Sequence, residues 1–108
     1  MNIRGFKLKN QGIFAVNLHV LYQNEGEEER VEKADESHVL AFGGDQTIDM
    51  RFLGFKNGCK VKLKVHVIWG IDNVAKQEFV YRDDAETIVE YVITGVTLWN
   101  NLSMLASD

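Results

Sequence analysis

The sequence predicts an all-β fold: an antiparallel β-sandwich of about seven strands. The clearest observation is a strict alternation over residues 60–69, whose apolar members are Val61, Leu63, Val65, Val67 and Trp69. A period of two is typical of a strand with one face on a core and the other in water. Turn-forming residues interrupt the chain about every 8–15 residues. Strands do not alternate with long helices, which disfavours a parallel α/β sheet.

The other strands are predicted where β-branched and aromatic residues lie between turn signals. We expect strands near residues 6–9, 13–22, 38–42, 47–53, 60–69, 77–81 and 87–94. Asn57-Gly58 is typical of a tight hairpin, which predicts that 47–53 and 60–69 are antiparallel neighbours. The alternation in 47–53 predicts that Phe52 points inward, and residues 96–101 are expected to form an exposed turn into a short closing segment.

The overall composition fits one ordinary globular domain over residues 1–108, with 45% hydrophobic residues. A net charge of −4 gives no broad attraction to nucleic acid. Neither a signal peptide nor a membrane-spanning segment is recognisable, so we expect a cytoplasmic protein or one secreted by a non-standard route. The single cysteine excludes an internal disulfide, and without proline the sheet edges must be protected by charge and turn residues.

An acidic stretch covers residues 25–36, with seven acids and two bases. Only Val31 offers a sizeable apolar side chain there, so the pattern favours a loop and a polar edge strand around residues 30–33. Charge on an edge strand keeps it from pairing with other chains. The alternative is an acidic patch for a cation or a basic partner.

The residues that carry catalysis or bind metals do not form a recognisable site. Cys59 has no histidine tied to it by spacing, which predicts an inert thiol. His19 and His66 point away from the core on strands that could be neighbours, but no carboxylate or thiol stands at a spacing that completes a zinc site. We therefore expect a non-enzymatic protein without metal or cofactor.

Aromatic and aliphatic residues at predicted loop tips are the best candidates for a binding surface, because loop tips are ordinarily polar. Trp69 and Ile71 follow the long strand, and Leu98 and Trp99 lie in the closing turn. Alternation favours burial of Trp69, and Leu98 and Trp99 could equally fold back against the sandwich. The other apolar residues that could join such a tip are Val74 and Leu102. A lysine stripe at Lys60, Lys62 and Lys64 is interpreted as a solvated face, with binding of an anionic lipid or a phosphate as the alternative.

Two segments resemble a known family. Residues 12–16 (Gly-Ile-Phe-Ala-Val) open a strand and residues 95–99 (Gly-Val-Thr-Leu-Trp) close one, in an order of elements similar to the C-terminal membrane-binding domain of the cholesterol-dependent (thiol-activated) cytolysins. That domain is a β-sandwich, and in the family the Thr-Leu pair of the closing loop recognises sterol; Thr97 and Leu98 fall on this pair. The chain departs from the family after the long strand, where residues 69–74 hold one Trp and no Cys.

The resemblance implies a non-enzymatic recognition module whose end loops meet a lipid headgroup, a sterol or a glycan. The residues expected to bind are Thr97, Leu98, Trp99, Trp69 and Ile71. The alternative function is a protein–protein module that pairs through a sheet edge or face, either with itself as a homo-oligomer or with another subunit. The two differ in whether the exposed apolar surface lies at the loop tips or on a sheet.

Overall fold

The computed structural model describes residues 1–34 and 38–107. The strands among them are β1 (Asn2–Ile3), β2 (Gly5–Gly12), β3 (Val16–Gln23), β4 (Val31–Ala34), β5 (Asp45–Asp49), β6 (Lys60–Val67), β7 (Asn73–Val74), β8 (Phe79–Tyr81), β9 (Ile88–Val96) and β10 (Trp99–Ser107). A short 3₁₀ helix, Met50–Phe52, follows β5. The described residues contain no helix long and apolar enough to cross a membrane.

The strands form two sheets that face each other, which confirms the predicted all-β sandwich. One sheet has six strands in the order β1-β8-β6-β3-β4, with β7 also paired to β6; the other has the order β10-β9-β2-β5. Most neighbours are antiparallel, but β1 pairs with β8 and β2 with β9 in parallel.

The long strand β6 lies in the interior of its sheet, between β3 and β8. Its register with β3 runs from Val16 opposite Val67 to Gln23 opposite Lys60. The alternation is confirmed over β6 itself, where the buried members are Val61, Leu63, Val65 and Val67. These side chains face the second sheet, whose buried residues on β9 are Val89, Tyr91 and Ile93.

Aromatic rings join the two sheets at the centre of the core. Phe6 of β2 meets Phe79 of β8 edge to face, with ring centroids 6.1 Å apart, and lies 6.2 Å from the ring of Tyr91. Cys59 is fully buried, and this burial raises the pKa of its thiol, in keeping with the inert thiol expected from the sequence.

The predicted hairpin between residues 47–53 and 60–69 is wrong. β5 pairs with β2, whereas β6 pairs with β3 in the other sheet. The 3₁₀ helix ends the alternation at Asp49, so the chain crosses between sheets and Phe52 is 78% exposed instead of pointing inward. Asn57 does not form a hairpin turn; its side-chain oxygen accepts a hydrogen bond from the backbone of Asp83 at 2.7 Å.

Two further strand predictions need correction, and a third is confirmed. The segment 38–42 is a loop that touches β3 through a single bridge between Leu40 and Val16. The short closing segment is instead a nine-residue strand, β10. The polar edge strand is confirmed as β4, while Asp35 and Glu36 of the acidic stretch lie outside the described residues.

Candidate functional site

Four connecting segments meet at one end of the sandwich, where β2, β6 and β9 end and β3 and β10 begin. They are residues 13–15, 39–44, 68–72 and 97–98. Backbone hydrogen bonds of 2.9 Å tie them together: Ile13 N–H donates to the Gly95 carbonyl, Ile68 to Ala15, and Ile71 to Thr97.

This end carries a cluster of exposed apolar side chains, which we call the apolar tip. Its members are Ile13, Val39, Phe42, Trp69, Ile71, Val96, Leu98 and Trp99. Trp69 is 95% exposed, Trp99 81% and Leu98 59%. The four segments contain one charged residue, Asp72. A contiguous exposed apolar patch of this kind on a protein surface is typical of an interaction site.

Trp69 projects into solvent because the chain turns sharply after β6. The strand ends at Val67, and Trp69 adopts a φ of 60°, a left-handed conformation that is rare for a bulky side chain. A Cβ on the following Gly70 would lie 2.3 Å from the Thr97 carbonyl oxygen, so only glycine permits this close approach. The favoured prediction that Trp69 packs in the core is therefore wrong.

Asp72, two residues after Gly70, anchors the end of this turn to β6. Its carboxylate accepts a hydrogen bond of 3.2 Å from the Val67 backbone N–H and lies 2.8 Å from Nδ1 of His66. The one charge near the apolar tip is thus held against the sheet rather than at the apex.

The segment that joins β9 to β10 is a two-residue turn, Thr97-Leu98, with Val96 opposite Trp99. Gly95 enters this turn with a φ of 108°, and a Cβ there would lie 2.1 Å from the Trp99 carbonyl oxygen. Thr97 is half-buried. Leu98 and Trp99 do not fold back against the sandwich, so the alternative of a closed end is wrong for these two residues.

The five residues selected from the sequence thus share one end of the molecule. Besides the backbone bond between Ile71 and Thr97, the Asn100 side chain donates to the Ile71 carbonyl at 2.8 Å. Leu102, which the sequence also suggested for this end, instead packs against the core, and Val74 lies on β7 beside Lys64.

Sequence reasoning missed half of the apolar tip: Ile13, Val39, Phe42 and Val96. The buried Asn10 organises two of the loops that carry them. Its side-chain amide donates to the carbonyls of Phe14 and Leu40 at 2.9 and 3.0 Å, and its oxygen accepts from Gly12 N–H at 3.0 Å. The Asn-Gln-Gly sequence at residues 10–12 was the available signal for a loop extending past Gly12.

A second group of polar side chains covers the outer face of the six-stranded sheet. The rings of His19 and His66 are 5.5 Å apart, and His19 Nδ1 contacts the carboxylate of Glu32. The hydrogen bond with His19 is the largest cause that holds the pKa of Glu32 below its usual range. The second is the bond from the Lys64 ammonium, which lies 3.0 Å from the Glu32 carboxylate. Within residues 1–34 and 38–107 no cluster of three or more possible ligands suits a metal ion.

The ion pair with Glu32 also bears on the lysine stripe. Because Lys64 is already paired, the stripe is a weaker candidate site for anionic lipid.

Comparison with known proteins gives matches in structure alone. No protein-family model matches the chain, and no curated protein matches it in sequence. The structure of pneumolysin matches 94% of this chain with a TM-score of 0.50 and 16% sequence identity, and the chain spans 23% of the length of that toxin. Suilysin from Streptococcus suis matches 94% of the chain, and 23% of suilysin, with a TM-score of 0.49 and 15% identity.

The structure of the membrane-binding domain of pneumolysin also matches. It covers 94% of this chain and 95% of the domain, with a TM-score of 0.48 and 14% identity. The pneumolysin match confirms, at the level of fold, the resemblance to the cytolysins that the sequence indicated.

Proposed function

We propose that this chain is a non-enzymatic, toxin-related recognition module that binds a membrane surface through its apolar tip. The observation that carries the proposal is the position of the two tryptophans, the only ones in the chain. Trp69 and Trp99 both lie at the apolar tip and are 95% and 81% exposed. Tryptophan suits the boundary between lipid and water because its ring is apolar and carries one N–H donor.

Shallow insertion of the apolar tip into a lipid bilayer would contribute free energy of membrane binding. Each apolar side chain that moves fully from water into the lipid contributes about 1.5–3 kcal/mol. Leu98, Trp99 and Trp69 together therefore give weak, reversible binding, and several copies acting together give firm binding. Hydrogen bonds between the loops, such as Ile71 to Thr97, hold the side chains in place, which limits the entropy lost on binding.

Thr97 is the candidate for polar recognition at this surface. It is half-buried beside the exposed Leu98 and Trp99, so its hydroxyl would lie near the wet boundary of an inserted tip. There it would bond a sterol hydroxyl or a lipid or glycan headgroup. The choice of sterol rests on the resemblance of Thr97-Leu98 to the cytolysin pair. Perforation of a membrane is not proposed, because the chain spans 23% of the length of pneumolysin.

Liposome co-sedimentation tests the proposal. The wild type is compared with Leu98→Ala/Trp99→Ala on phosphatidylcholine vesicles with and without cholesterol. The control variant Phe52→Ala removes a 78% exposed aromatic ring at the opposite end of the sandwich. We expect at least about a tenfold loss of binding for the double variant, since it removes two apolar contacts, and no change for the control.

The pattern of outcomes separates the ligand from the site. Binding that requires cholesterol and is lost in Thr97→Ala supports sterol recognition, whereas equal binding to both vesicles supports a general lipid surface. Unchanged binding of the folded double variant contradicts the apolar tip as the site. No binding of the wild type to vesicles with or without cholesterol rejects the proposed membrane binding and favours the protein–protein alternative.

A further inference from the structure

A groove lies beside the apolar tip, where the end of β2 meets the loop before β5. Its volume is about 530 Å³, within the range of small-ligand sites. Alternation along β2 buries Leu8 and Asn10 and leaves Lys9 and Gln11 on the outer face of the four-stranded sheet. We call it the side groove, lined by Lys9, Gln11, Phe42, Gly43, Gly44 and Asp45.

Backbone hydrogen bonds fix the loop that forms one wall of the side groove. Asn10 N–H donates to the Gly44 carbonyl at 2.9 Å, and Gly43 N–H donates to the Asn10 carbonyl at 2.7 Å. Gly43 has a φ of 86°, a left-handed conformation that favours glycine. Because the wall is held by the backbone, the side groove keeps its shape and a ligand loses less entropy on binding.

Opposite charges face each other across the side groove. Lys9 and Asp45 are directly opposite in the pairing of β2 with β5, so their Cβ atoms lie roughly 4.5–5.5 Å apart. Lys9 forms an ion pair of 3.4 Å with Glu90, which does not line the groove, and its side chain is 43% exposed. An ammonium has three donors, so Lys9 keeps donors for a further anion. Lys64, by contrast, contacts two carboxylates and is 21% exposed.

An aromatic ring stands on the loop side of the same groove. Phe42 is 66% exposed and belongs to the apolar tip as well. The face of an aromatic ring attracts a quaternary ammonium, and a nearby carboxylate such as that of Asp45 adds to the attraction. The side groove thus combines a cation with an aromatic ring and a carboxylate, which together suit a ligand that carries both charges.

We infer that the side groove binds the phosphocholine headgroup of a phospholipid. Lys9 contacts the phosphate, and Phe42 and Asp45 contact the quaternary ammonium. The inference rests on the proposed membrane binding and adds to it the class of lipid. A zwitterionic headgroup also suits a chain with a net charge of −4, which disfavours an anionic surface.

The position of the side groove fits this role. Lys9 lies three residues before the end of β2, which places it roughly 10 Å along the strand from that end. The headgroup layer on each side of a bilayer is roughly 5–8 Å thick. Shallow insertion of the apolar tip, with Phe42 at the boundary, therefore brings the side groove to the level of the headgroups.

Titration with free phosphocholine, followed by NMR of the backbone amides, tests the side groove without a membrane. We expect shifts at residues 9–11 and 42–45 and none at residues 24–30, and weaker binding of choline alone or inorganic phosphate alone. Lys9→Gln is expected to raise the Kd at least about fivefold because it removes the contact with the phosphate. Lys7→Gln is the matched control, since Lys7 lies on the same strand and face but does not line the groove.

Co-sedimentation with vesicles of phosphatidylcholine or of phosphatidylglycerol tests recognition in a bilayer. Asp45→Asn is expected to weaken binding to phosphatidylcholine by about threefold, because the quaternary ammonium loses its carboxylate. The same variant should not weaken binding to phosphatidylglycerol, which has no quaternary ammonium and repels the carboxylate. Equal losses on both vesicles would overturn the inference.

The two experiments separate failure of the side groove from failure of the apolar tip. Vesicle binding without phosphocholine shifts at residues 9–11 and 42–45 overturns the inference and leaves the proposed membrane binding intact. Phosphocholine shifts at these residues in a wild type that binds no vesicle support headgroup recognition by the side groove and count against the apolar tip. Equal losses in Lys9→Gln and Lys7→Gln, or equally tight binding of inorganic phosphate alone, contradict recognition of the zwitterion.

Discussion

The two ends of the sandwich are built from the same strands but differ in surface polarity and charge. At the apolar tip, the four segments carry one charge, and Asp72 holds it against the sheet. At the opposite end, residues 24–30 carry four acids and one base, and residues 82–87 carry three acids and one base. Of the exposed aromatic rings, Trp69, Trp99 and Phe42 lie at the first end and Phe52 near the second, where Arg51 covers it at 5.4 Å.

Exposure alone therefore does not identify a binding surface. An exposed ring under a guanidinium is already partly covered, whereas the rings of the apolar tip stand free of charge and close to one another. On the proposed function, anionic lipid would repel the acid-rich end formed by residues 24–30 and 82–87, which favours an approach through the apolar tip.

The largest expected difference between the ends concerns two glycines with positive φ. Gly95→Ala is expected to cost roughly 2–5 kcal/mol of folding free energy, because it combines backbone strain with a clash against the Trp99 carbonyl. Gly26 at the acidic end has a φ of 82° and open space around it, so Gly26→Ala is expected to cost about 1 kcal/mol. Urea unfolding of both variants measures these values, and equal losses would contradict the close packing at Gly95.

A smaller difference is expected for two asparagines. Asn10→Ala leaves the Phe14 carbonyl without its donor, which costs roughly 1–3 kcal/mol for a buried group left unsatisfied, whereas the Leu40 carbonyl keeps a bond of 3.0 Å from Val16 N–H. Asn24→Ala at the acidic end removes an exposed 3.4 Å contact with Glu27 and should change stability by less than about 0.5 kcal/mol. Thermal unfolding compares them. A neutral Asn10→Ala would mean that the loops are positioned without this side chain.

The smallest expected effect concerns the polar cluster that lies between the ends. His19 and Lys64 lower the pKa of Glu32, so its ionised form stabilises the fold above the ordinary glutamate pKa of about 4.3. This stability is lost as the pH falls through the lowered pKa. Between about pH 5 and 3, wild type should therefore lose more stability than Glu32→Gln, by less than about 1 kcal/mol because the pair is partly exposed. Parallel pH profiles of the two proteins would count against this pairing.

Much of the fold could be predicted because alternation reports which face of a strand is buried. It did so for Val61 to Val67 and for Val89 to Ile93. Alternation does not report which strand is the neighbour, and so the hairpin before β6 was wrongly predicted. No feature of the sequence indicated the 3₁₀ helix Met50–Phe52, where the chain leaves the four-stranded sheet.

The candidate site was predictable in part for a similar reason. Leu98 and Trp99 follow Gly95, where the sequence pattern indicated the end of a strand, and Ile71 follows Gly70. In the structure β9 continues through Gly95 to Val96. Trp69 was predicted to be buried because it continues the alternation of β6. The strand ends at Val67, however, and Trp69 has a left-handed backbone conformation that no sequence pattern indicates. Ile13 and Phe42 lie in segments whose sequence pattern predicted strands. In the structure these segments are loops, and the Asn10 side chain holds them through its bonds to the Phe14 and Leu40 carbonyls.

Tryptophan fluorescence tests most directly whether the apolar tip, and not the acidic end, meets the membrane. Both tryptophans lie at the tip, so the intrinsic emission reports on that end alone. The protein is titrated with phosphatidylcholine vesicles, with and without cholesterol, whose acyl chains carry bromine. We expect emission typical of water-exposed tryptophan in buffer, then a blue shift and quenching by the bromine as vesicles are added. Emission that is already blue-shifted in buffer, or that stays unshifted and unquenched while the protein sediments with the vesicles, would contradict insertion of the apolar tip.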